Sequence, residues 1–312
     1  MPIIIAPNSH EHWLQLRSED ITSTEVSALF GLSPYMTEFE LFYIKSRGEI
    51  TSIADNERMK WGRRLEAVIA QGVAEDVGME VKPLKEYMRH SDEPRMGSSF
   101  DFSILCPERG PGILEIKNVD GLVYRNQWID DEAPAHIEIQ LQHQLEIANV
   151  EWGMIAALVG GNDPKIIIRD RDRDVGAGLR EKTREFWERV AREDAPEPDY
   201  EADSEFIIKL HQQSGGQMMD ATGNEAIASL LAEYKHLAEA ATNYDDLKKA
   251  KKAEILDKIG DEYSKVICGP FTLSCSMTKD TPPTMITPEM VGETYGGRKG
   301  YRNFRVNVKK GS

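Results

Sequence analysis

Cysteines and long apolar segments are both scarce in this sequence. Its 312 residues include three cysteines, which are scattered and form no CxxC pair: Cys106, Cys268 and Cys275. An odd, scattered set provides neither a disulfide framework nor the four ligands of an iron–sulfur cluster, so we expect free thiols. No apolar run approaches the roughly 20 residues of a membrane helix, and the amino terminus lacks the basic segment of a signal peptide. We therefore expect a cytoplasmic protein with no membrane partner.

Several common catalytic motifs are missing as well, and acidic residues outnumber basic ones. The sequence contains no P-loop, no GxGxxG, no GxSxG and no zinc motif, which argues against the functions that these motifs carry. The net charge of −15 argues weakly against nucleic-acid binding. However, basic residues cluster at 58–64, and the stretch 296–310 has six of them and no acid. Because a DNA path can be basic inside an acidic shell, the net charge does not exclude a DNA-processing enzyme.

The order of predicted elements indicates an α/β or α+β fold with a central mixed sheet flanked by helices. Apolar periodicity predicts three short helices within 9–48 and longer ones at 55–77, 135–149, 174–193 and 224–259. Strand-like alternation occurs at 96–105, 112–118, 152–160, 165–170, 264–279 and 301–310.

The acidic segment 191–205, with two prolines, is the best candidate for a linker. We predict a core at 1–195 and a carboxy-terminal extension at 196–312, made of a long helix and a small β element. In the extension, Tyr295, Tyr301 and Phe304 interleave with basic residues, which suits nucleic acid. A small β cap with a solvated basic face explains the same pattern equally well.

The segment 99–118 carries the pattern most typical of chemistry. Because side chains alternate along a strand, Glu115 and Lys117 of ILEIKN project from one face. Asp101 precedes them across a hairpin turn and can converge on the same place. Two carboxylates suit a hard divalent cation, and a lysine can orient water or stabilise charge on a phosphate. A surface ion pair on an amphipathic strand is the alternative, since this short pattern also arises by chance.

Two further polar residues fall on apolar helix faces. Glu66 lies within the apolar arc of the predicted helix 55–77, where a carboxylate is costly unless it is paired or binds metal. Gln140, with Gln144 beside it, lies in or near the apolar stripe of helix 135–149. A glutamate paired with a nearby arginine, and a glutamine bonded to a neighbouring backbone group, are the structural alternatives.

An anion site is predicted near the amino terminus. Arg17 lies just before the helix start at ITSTEV, where Ser23, Thr24 and free backbone amides can bind a phosphate. Ordinary helix capping beside a surface arginine is an equally good explanation. His136 and His143 are seven residues apart on one helix without a partner at metal-ligand spacing, so we favour structural roles for both.

Five blocks in one order resemble the YqaJ-type viral recombinases, the family of the phage lambda exonuclease. The resemblance spans about residues 12–193. The blocks are WLQLRSEDITSTEVSALFGLSPY, MKWGRRLEAVIA, MGSSFDFSILC, GILEIKN and IEIQLQHQLEI. The family implies a restriction-endonuclease-like core, two Mg²⁺ ions (with Mn²⁺ as a substitute) and degradation of one strand of duplex DNA from a 5′ end. It also implies a trimeric ring, a single-strand annealing protein as partner, and a phage or prophage origin in a bacterial host.

The resemblance also implies roles for individual residues. Glu66, Asp101, Glu115 and the backbone carbonyl of Ile116 correspond to the metal ligands, and Lys117 corresponds to the residue that activates water. Gln140 matches an active-site glutamine. Arg17 matches the arginine that binds the 5′-phosphate, and Thr24 stands where the lambda member has a serine, with Ser23 adjacent. Ile137 departs from the pattern because the lambda member has a tyrosine at that place.

We therefore expect a Mg²⁺-dependent 5′-to-3′ exonuclease acting on double-stranded DNA in phage-type homologous recombination. One alternative is a structure-specific or restriction-like endonuclease, since the same carboxylate–lysine chemistry serves both activities. The other is a non-catalytic scaffold that binds DNA ends, and the intact carboxylate–lysine set argues against it.

Overall fold

The computed structural model describes residues 1–48, 56–93 and 95–276. The chain forms two compact units, of which the first spans Met1–Ile208 and the second begins at Lys209. The predicted strand at 301–310, the basic stretch 296–310 and Tyr295 lie outside the described residues. None of the described helices is long and apolar enough to cross a membrane.

Most helices of the first unit begin at a polar side chain that accepts bonds from free backbone N–H groups, which stabilises the first turn. These capping residues are Ser9, Thr37, Asn56, Asp120 and Asp172. The helices are α1 (His10–Glu19), α2 (Glu38–Ser46), α3 (Glu57–Val77), α4 (Gly121–Gln127), α5 (Ala135–Ala148), α6 (Arg173–Ala191) and α7 (Ser204–Leu210). The middle helix predicted within 9–48 is a short 3-10 helix, Val26–Phe30.

A five-stranded mixed sheet forms the centre of the first unit. The strands of this unit are β1 (Ile3–Ile5), β2 (Glu80–Pro83), β3 (Tyr87–Arg89), β4 (Gly97–Ser98), β5 (Phe102–Cys106), β6 (Gly110–Val119), β7 (Trp152–Val159) and β8 (Asp163–Asp170). The central sheet has the order β2-β5-β6-β7-β8, in which β6 and β7 are parallel and the other neighbours antiparallel. The predicted mixed sheet flanked by helices is therefore confirmed.

The two faces of β6 belong to two different apolar clusters. Ile113 and Val119 pack in a cluster with residues of α5 and α6, whereas Leu114 and Ile116 pack with residues of α3. Helix α5 approaches the sheet so closely that a Cβ at Gly153 would lie 2.8 Å from a methyl group of Leu141. The sheet is thus covered by helices on both faces, with β6 at its centre.

The strand predicted at 96–105 is two separate short strands, β4 and β5. The chain bends between them at residues 99–101, where the Asp101 side chain accepts the backbone N–H of Ile116. Strand β4 pairs with β3 in a separate three-stranded sheet, and β5 joins the central sheet. This bend places Asp101 beside the middle of β6 instead of inside a regular strand.

The last residues of the first unit, which follow α6, pack against α2. Asp203 is buried and accepts the hydroxyl of Thr37, and the ring of Phe206 on α7 contacts those of Phe39 and Tyr43 on α2. The second unit contains helix α8 (Glu225–Ile259) and an antiparallel hairpin of β9 (Lys265–Cys268) and β10 (Phe271–Ser274).

Candidate active site

Strand β6 carries two charged side chains into a polar cluster beside α5. Glu115 is 3% exposed, and its Oε1 lies 2.6 Å from the Nζ of Lys117, two residues further along the strand. The alternation of a strand puts both side chains on one face, opposite Leu114 and Ile116, as the sequence predicts. A buried carboxylate is costly unless it is paired and hydrogen-bonded, and the contacts around Glu115 meet that requirement.

Two glutamines of α5 complete the contacts of Glu115. Gln140 donates through Nε2 to Oε1 of Glu115 at 2.6 Å, and its own Oε1 accepts from Lys117 at 3.0 Å. Gln144, one helical turn later, donates to Oε2 of Glu115 at 2.8 Å. Both carboxylate oxygens are therefore held in place, and Lys117 is fixed between an anion and an amide oxygen.

Asp101 lies next to this cluster in the bend before β5. Its Oδ2 accepts the N–H of Ile116 at 2.9 Å. Burial raises the pKa of the Asp101 carboxyl well above its usual range, and the negative charge of Glu115 raises it further, against the opposing charge of Lys117. Asp101 and Glu115 thus repel each other across the backbone of Ile116.

Glu66 lies on the helix that covers the opposite face of the sheet and is within electrostatic range of Glu115 and Lys117. It is half-buried on α3, the helix that packs on the Leu114 face of β6. Burial raises the pKa of the Glu66 carboxyl and the charge of Glu115 adds to this, while Arg63 and Lys117 oppose the shift. The structure therefore brings the charges of all four predicted residues, Glu66, Asp101, Glu115 and Lys117, within electrostatic reach of one another.

These residues suit a hard divalent cation by their chemistry. Three carboxylates supply oxygen donors, which Mg²⁺ and Mn²⁺ prefer. Burial, and then the charge of Glu115, raise the pKa values of Glu66 and Asp101, so added positive charge would stabilise their ionised forms. Within the described residues, no three acidic, His or Cys side chains already form a metal-binding group. Lys117 is the cation that balances Glu115 in this arrangement, and its pKa is raised because the charges of Glu115 and Asp101 outweigh the lowering by burial.

The predicted anion site has a definite geometry at the end of α1. Arg17 donates through Nη2 to the hydroxyl of Thr24 at 3.2 Å, and its guanidinium lies 4.8 Å from the centre of the Trp13 ring. Ser23 is 3% exposed, and its Oγ lies 2.9 Å from that of Ser98. Arg17 and the exposed Thr24 therefore form one surface, while Ser23 points into the interior.

A short chain of hydrogen bonds joins the Arg17 surface to the carboxylate cluster. Trp13, beneath Arg17, donates to the Ser99 hydroxyl at 2.8 Å. The carbonyl of Ser99 accepts from Gln144 at 3.4 Å, and Gln144 also holds Glu115. The two predicted parts of the site are thus connected through α1, the bend before β5 and α5.

Several contacts of the site are not evident in the sequence. The roles of Trp13 and Ser99 depend on partners that are 86 residues apart. Tyr35 is 78% exposed, and its ring lies 5.8 Å from that of His136. The sequence marks Gln144 as a glutamine beside an apolar stripe, but it does not indicate that Glu115 is its hydrogen-bond partner. Ile137, the position that departs from the resemblance, is buried.

His143 lies behind the site and makes stability depend on pH. It is fully buried on α5; burial, and then the charge of His90, lower its pKa to about 3. An unfolded histidine titrates near 6.5, so the unfolded state takes up a proton first as the pH falls. The contribution of neutral His143 is therefore fully present above pH about 6.5 and is lost towards pH about 3.

Replacement of His143 by glutamine is expected to reduce the acid sensitivity of folding. Between pH 7 and pH 5, the wild type should lose about 2 kcal/mol more unfolding free energy than His143→Gln. Urea unfolding at both pH values measures this difference. His12→Gln, at a partly exposed histidine, is the control and should track the wild type. Equal losses in His143→Gln and wild type would contradict the prediction.

The described fold and site define a mixed α/β protein with a carboxylate–lysine cluster at its central sheet. Residues 12–151 match the model of the YqaJ-like viral recombinase domain. The chain is 26% identical over 266 residues to the uncharacterized protein YqaJ of Bacillus subtilis (strain 168), with 81% of this chain and 82% of that protein covered. The segment 12–151 is therefore similar to the YqaJ-like viral recombinase domain.

Solved structures with a partly similar fold include two exonucleases. One is the alkaline exonuclease LHK-Exo from Laribacter hongkongensis in complex with dAMP, with TM-score 0.49, 18% identity, and coverage of 64% of this chain and 99% of that chain. Another is a phage-related exonuclease from Haemophilus somnus 129PT, with TM-score 0.41, 13% identity, and coverage of 56% and 96%.

Proposed function

We propose that this protein is a divalent-metal-dependent exonuclease that degrades one strand of double-stranded DNA from a 5′-phosphorylated end. The observation that carries the proposal is the Asp101–Glu115–Lys117 cluster, connected to the Arg17–Thr24 surface through Trp13, Ser99 and Gln144. The similarity of residues 12–151 to the YqaJ-like viral recombinase domain supports the same interpretation.

Glu66, Asp101, Glu115 and the carbonyl of Ile116 are the proposed ligands of two Mg²⁺ ions, for which Mn²⁺ can substitute. Bound divalent metal would activate water and offset negative charge on the scissile phosphate. The chain's own contribution is to hold these oxygens in position, because Gln140 and Gln144 fix Glu115, and the Ile116 N–H fixes Asp101.

Lys117 is the proposed residue that assists the attack of water. Its ammonium has three N–H donors, and two of them point to Glu115 and Gln140. The third remains for a phosphate oxygen or the attacking water, where a fixed positive charge stabilises the developing negative charge. Gln140 orients this ammonium and is therefore a positioning residue of the site.

Arg17 and Thr24 are the proposed binding group for the 5′-phosphate, which explains a requirement for a DNA end. A guanidinium paired with a hydroxyl matches a terminal phosphate, and the Trp13 ring fixes the guanidinium from below. Ser23, also predicted to bind the phosphate, lies buried against Ser98, so its proposed part is to support Thr24 through the backbone.

Linear duplex with a 5′-phosphate is expected to be digested about tenfold faster than the same duplex with a 5′-hydroxyl, because charged hydrogen bonds are lost with the phosphate. Digestion is measured with Mg²⁺ and with EDTA, which should stop both reactions. Equal rates with the two kinds of end would refute the proposal that the Arg17 surface binds the 5′-phosphate. Cutting of a covalently closed circular duplex would instead favour the endonuclease alternative.

The family resemblance supports three further proposals about the setting of this activity. The nuclease acts as a homo-oligomer, with a trimeric ring as the proposed form. A single-strand annealing protein binds the strand that it exposes during phage-type recombination. Residues 1–195 form the nuclease core and 196–312 an extension, in a protein of the bacterial cytoplasm.

A further inference from the structure

A buried lysine of α2 holds the backbone of the Arg17 surface. The side chain of Lys45 is 1% exposed. Its Nζ donates to the carbonyl of Arg17 at 2.7 Å, to the carbonyl of Asp20 at 2.7 Å and to Oε2 of Glu25 at 2.9 Å. These three contacts use all three donors of an ammonium. The two carbonyls belong to the end of α1, where the last backbone acceptors have no partner within the helix.

Glu25 extends the same network to the turn after α1. Its Oε2, which binds Lys45, also accepts the backbone N–H of Thr22 at 3.0 Å and the Thr22 hydroxyl at 2.7 Å. The Thr22 hydroxyl lies 3.2 Å from that of Thr24, which accepts from Arg17. The buried Lys45–Glu25 ion pair therefore contacts the backbone on both sides of the Arg17 surface, at Arg17 and at Thr22.

This arrangement is energetically costly, which argues that it serves geometry rather than stability. Burial lowers the pKa of Lys45, and the charge of Glu25 compensates only in part. Apolar side chains of similar volume often stabilise a protein as well as a buried ion pair does. An apolar pair here would leave the carbonyls of Arg17 and Asp20 without a partner and would let the end of α1 and the Thr22–Thr24 turn separate.

We propose that Lys45 and Glu25 are positioning residues that set the spacing of Arg17 and Thr24 for a terminal phosphate. The proposal rests on the proposed function of the Arg17 surface. It assigns Lys45 and Glu25 no contact with DNA: the ion pair acts only by fixing the backbone that presents the two phosphate-binding side chains.

The test compares how tightly Lys45 variants bind two DNA ends. The dissociation constants of duplexes with a 5′-phosphate and with a 5′-hydroxyl are measured by fluorescence anisotropy in EDTA, so that no cleavage occurs. We expect about tenfold preference for the phosphate in wild type, and a ratio near one in Lys45→Met and in Arg17→Ala. Arg171→Met is the matched control, since it removes a partner of another buried carboxylate, Glu146, and should keep the wild-type ratio.

A double variant separates positioning from folding. Lys45→Met leaves Glu25 as a buried unpaired charge and is expected to lower the melting temperature. Glu25→Gln/Lys45→Met removes that charge and still accepts from Thr22, so it should regain stability while its phosphate preference stays lost. A wild-type ratio in either folded Lys45 variant, together with loss of the ratio in Arg17→Ala, would overturn the positioning role alone. If the wild type showed no preference for the 5′-phosphate, both proposals would be refuted: phosphate binding by the Arg17 surface and the positioning role of Lys45 and Glu25.

Discussion

Hydrolysis of linear duplex DNA is expected to fall by about 10³-fold when Lys117 is replaced by alanine, while DNA binding survives. Groups that transfer protons or stabilise developing charge commonly contribute about 10²–10⁴-fold. The Nζ of Lys117 is held 2.6 Å from Glu115 and 3.0 Å from Gln140, so its position is defined before substrate arrives. Binding is expected to persist because the Arg17 surface and the helices that carry it do not depend on this side chain.

The measurement is single-turnover cleavage of a 5′-phosphorylated duplex, with binding determined separately in EDTA. Lys82→Ala is the matched control, since Lys82 is an exposed lysine of β2 in the same sheet and pairs with Glu80. Its rate should equal that of the wild type. Full activity in Lys117→Ala would refute the assignment of this lysine, whereas loss of both binding and cleavage would point to a structural effect.

The geometry of β6 could be predicted from the sequence because it depends on local rules. Alternation along a strand fixes Glu115 and Lys117 on one face whatever the neighbours are, and the structure confirms it. The stripe of α5 likewise places Gln140 and Gln144 towards the interior, where both are buried. Local periodicity thus identified the elements and faces that carry the cluster, although the catalytic roles remain proposals.

The rest of the site depends on contacts that no local rule supplies. The bend that puts Asp101 beside Ile116 interrupts the single strand predicted at 96–105. At the bend, the backbone N–H of Ile116 donates to the Asp101 side chain instead of to a backbone carbonyl of the neighbouring strand. Ser23 and Thr24 point in different directions and have different partners: Ser98 of β4 donates to the Ser23 hydroxyl, and Arg17 donates to that of Thr24. Lys45 reads as an ordinary helix lysine, and its burial comes from packing of α2 on the end of α1.

The carboxylate cluster is expected to lower the stability of the metal-free protein, which Asp101→Asn tests. Because burial and Glu115 raise the pKa of Asp101, its charged form destabilises the folded state once the pH exceeds the unfolded value of about 3.9. Asparagine removes the charge and still accepts the Ile116 N–H. We therefore expect Asp101→Asn to melt at a higher temperature than the wild type in EDTA at pH 7, although its cleavage rate falls about 10³-fold.

Added Mg²⁺ should reverse the order of the two proteins, because a ligand that binds only the folded state stabilises it. The wild type is expected to gain melting temperature with Mg²⁺, and Asp101→Asn to gain less. Asp163→Asn is the control, since Asp163 is an exposed carboxylate of β8 that pairs with Lys165, and it should behave as the wild type does. If Asp101→Asn were less stable in EDTA and responded fully to Mg²⁺, Asp101 would be a structural acceptor for Ile116 and not a ligand. A stability gain that accompanies the loss of cleavage would mean that the fold retains this carboxylate for its chemistry, at the expense of its own stability.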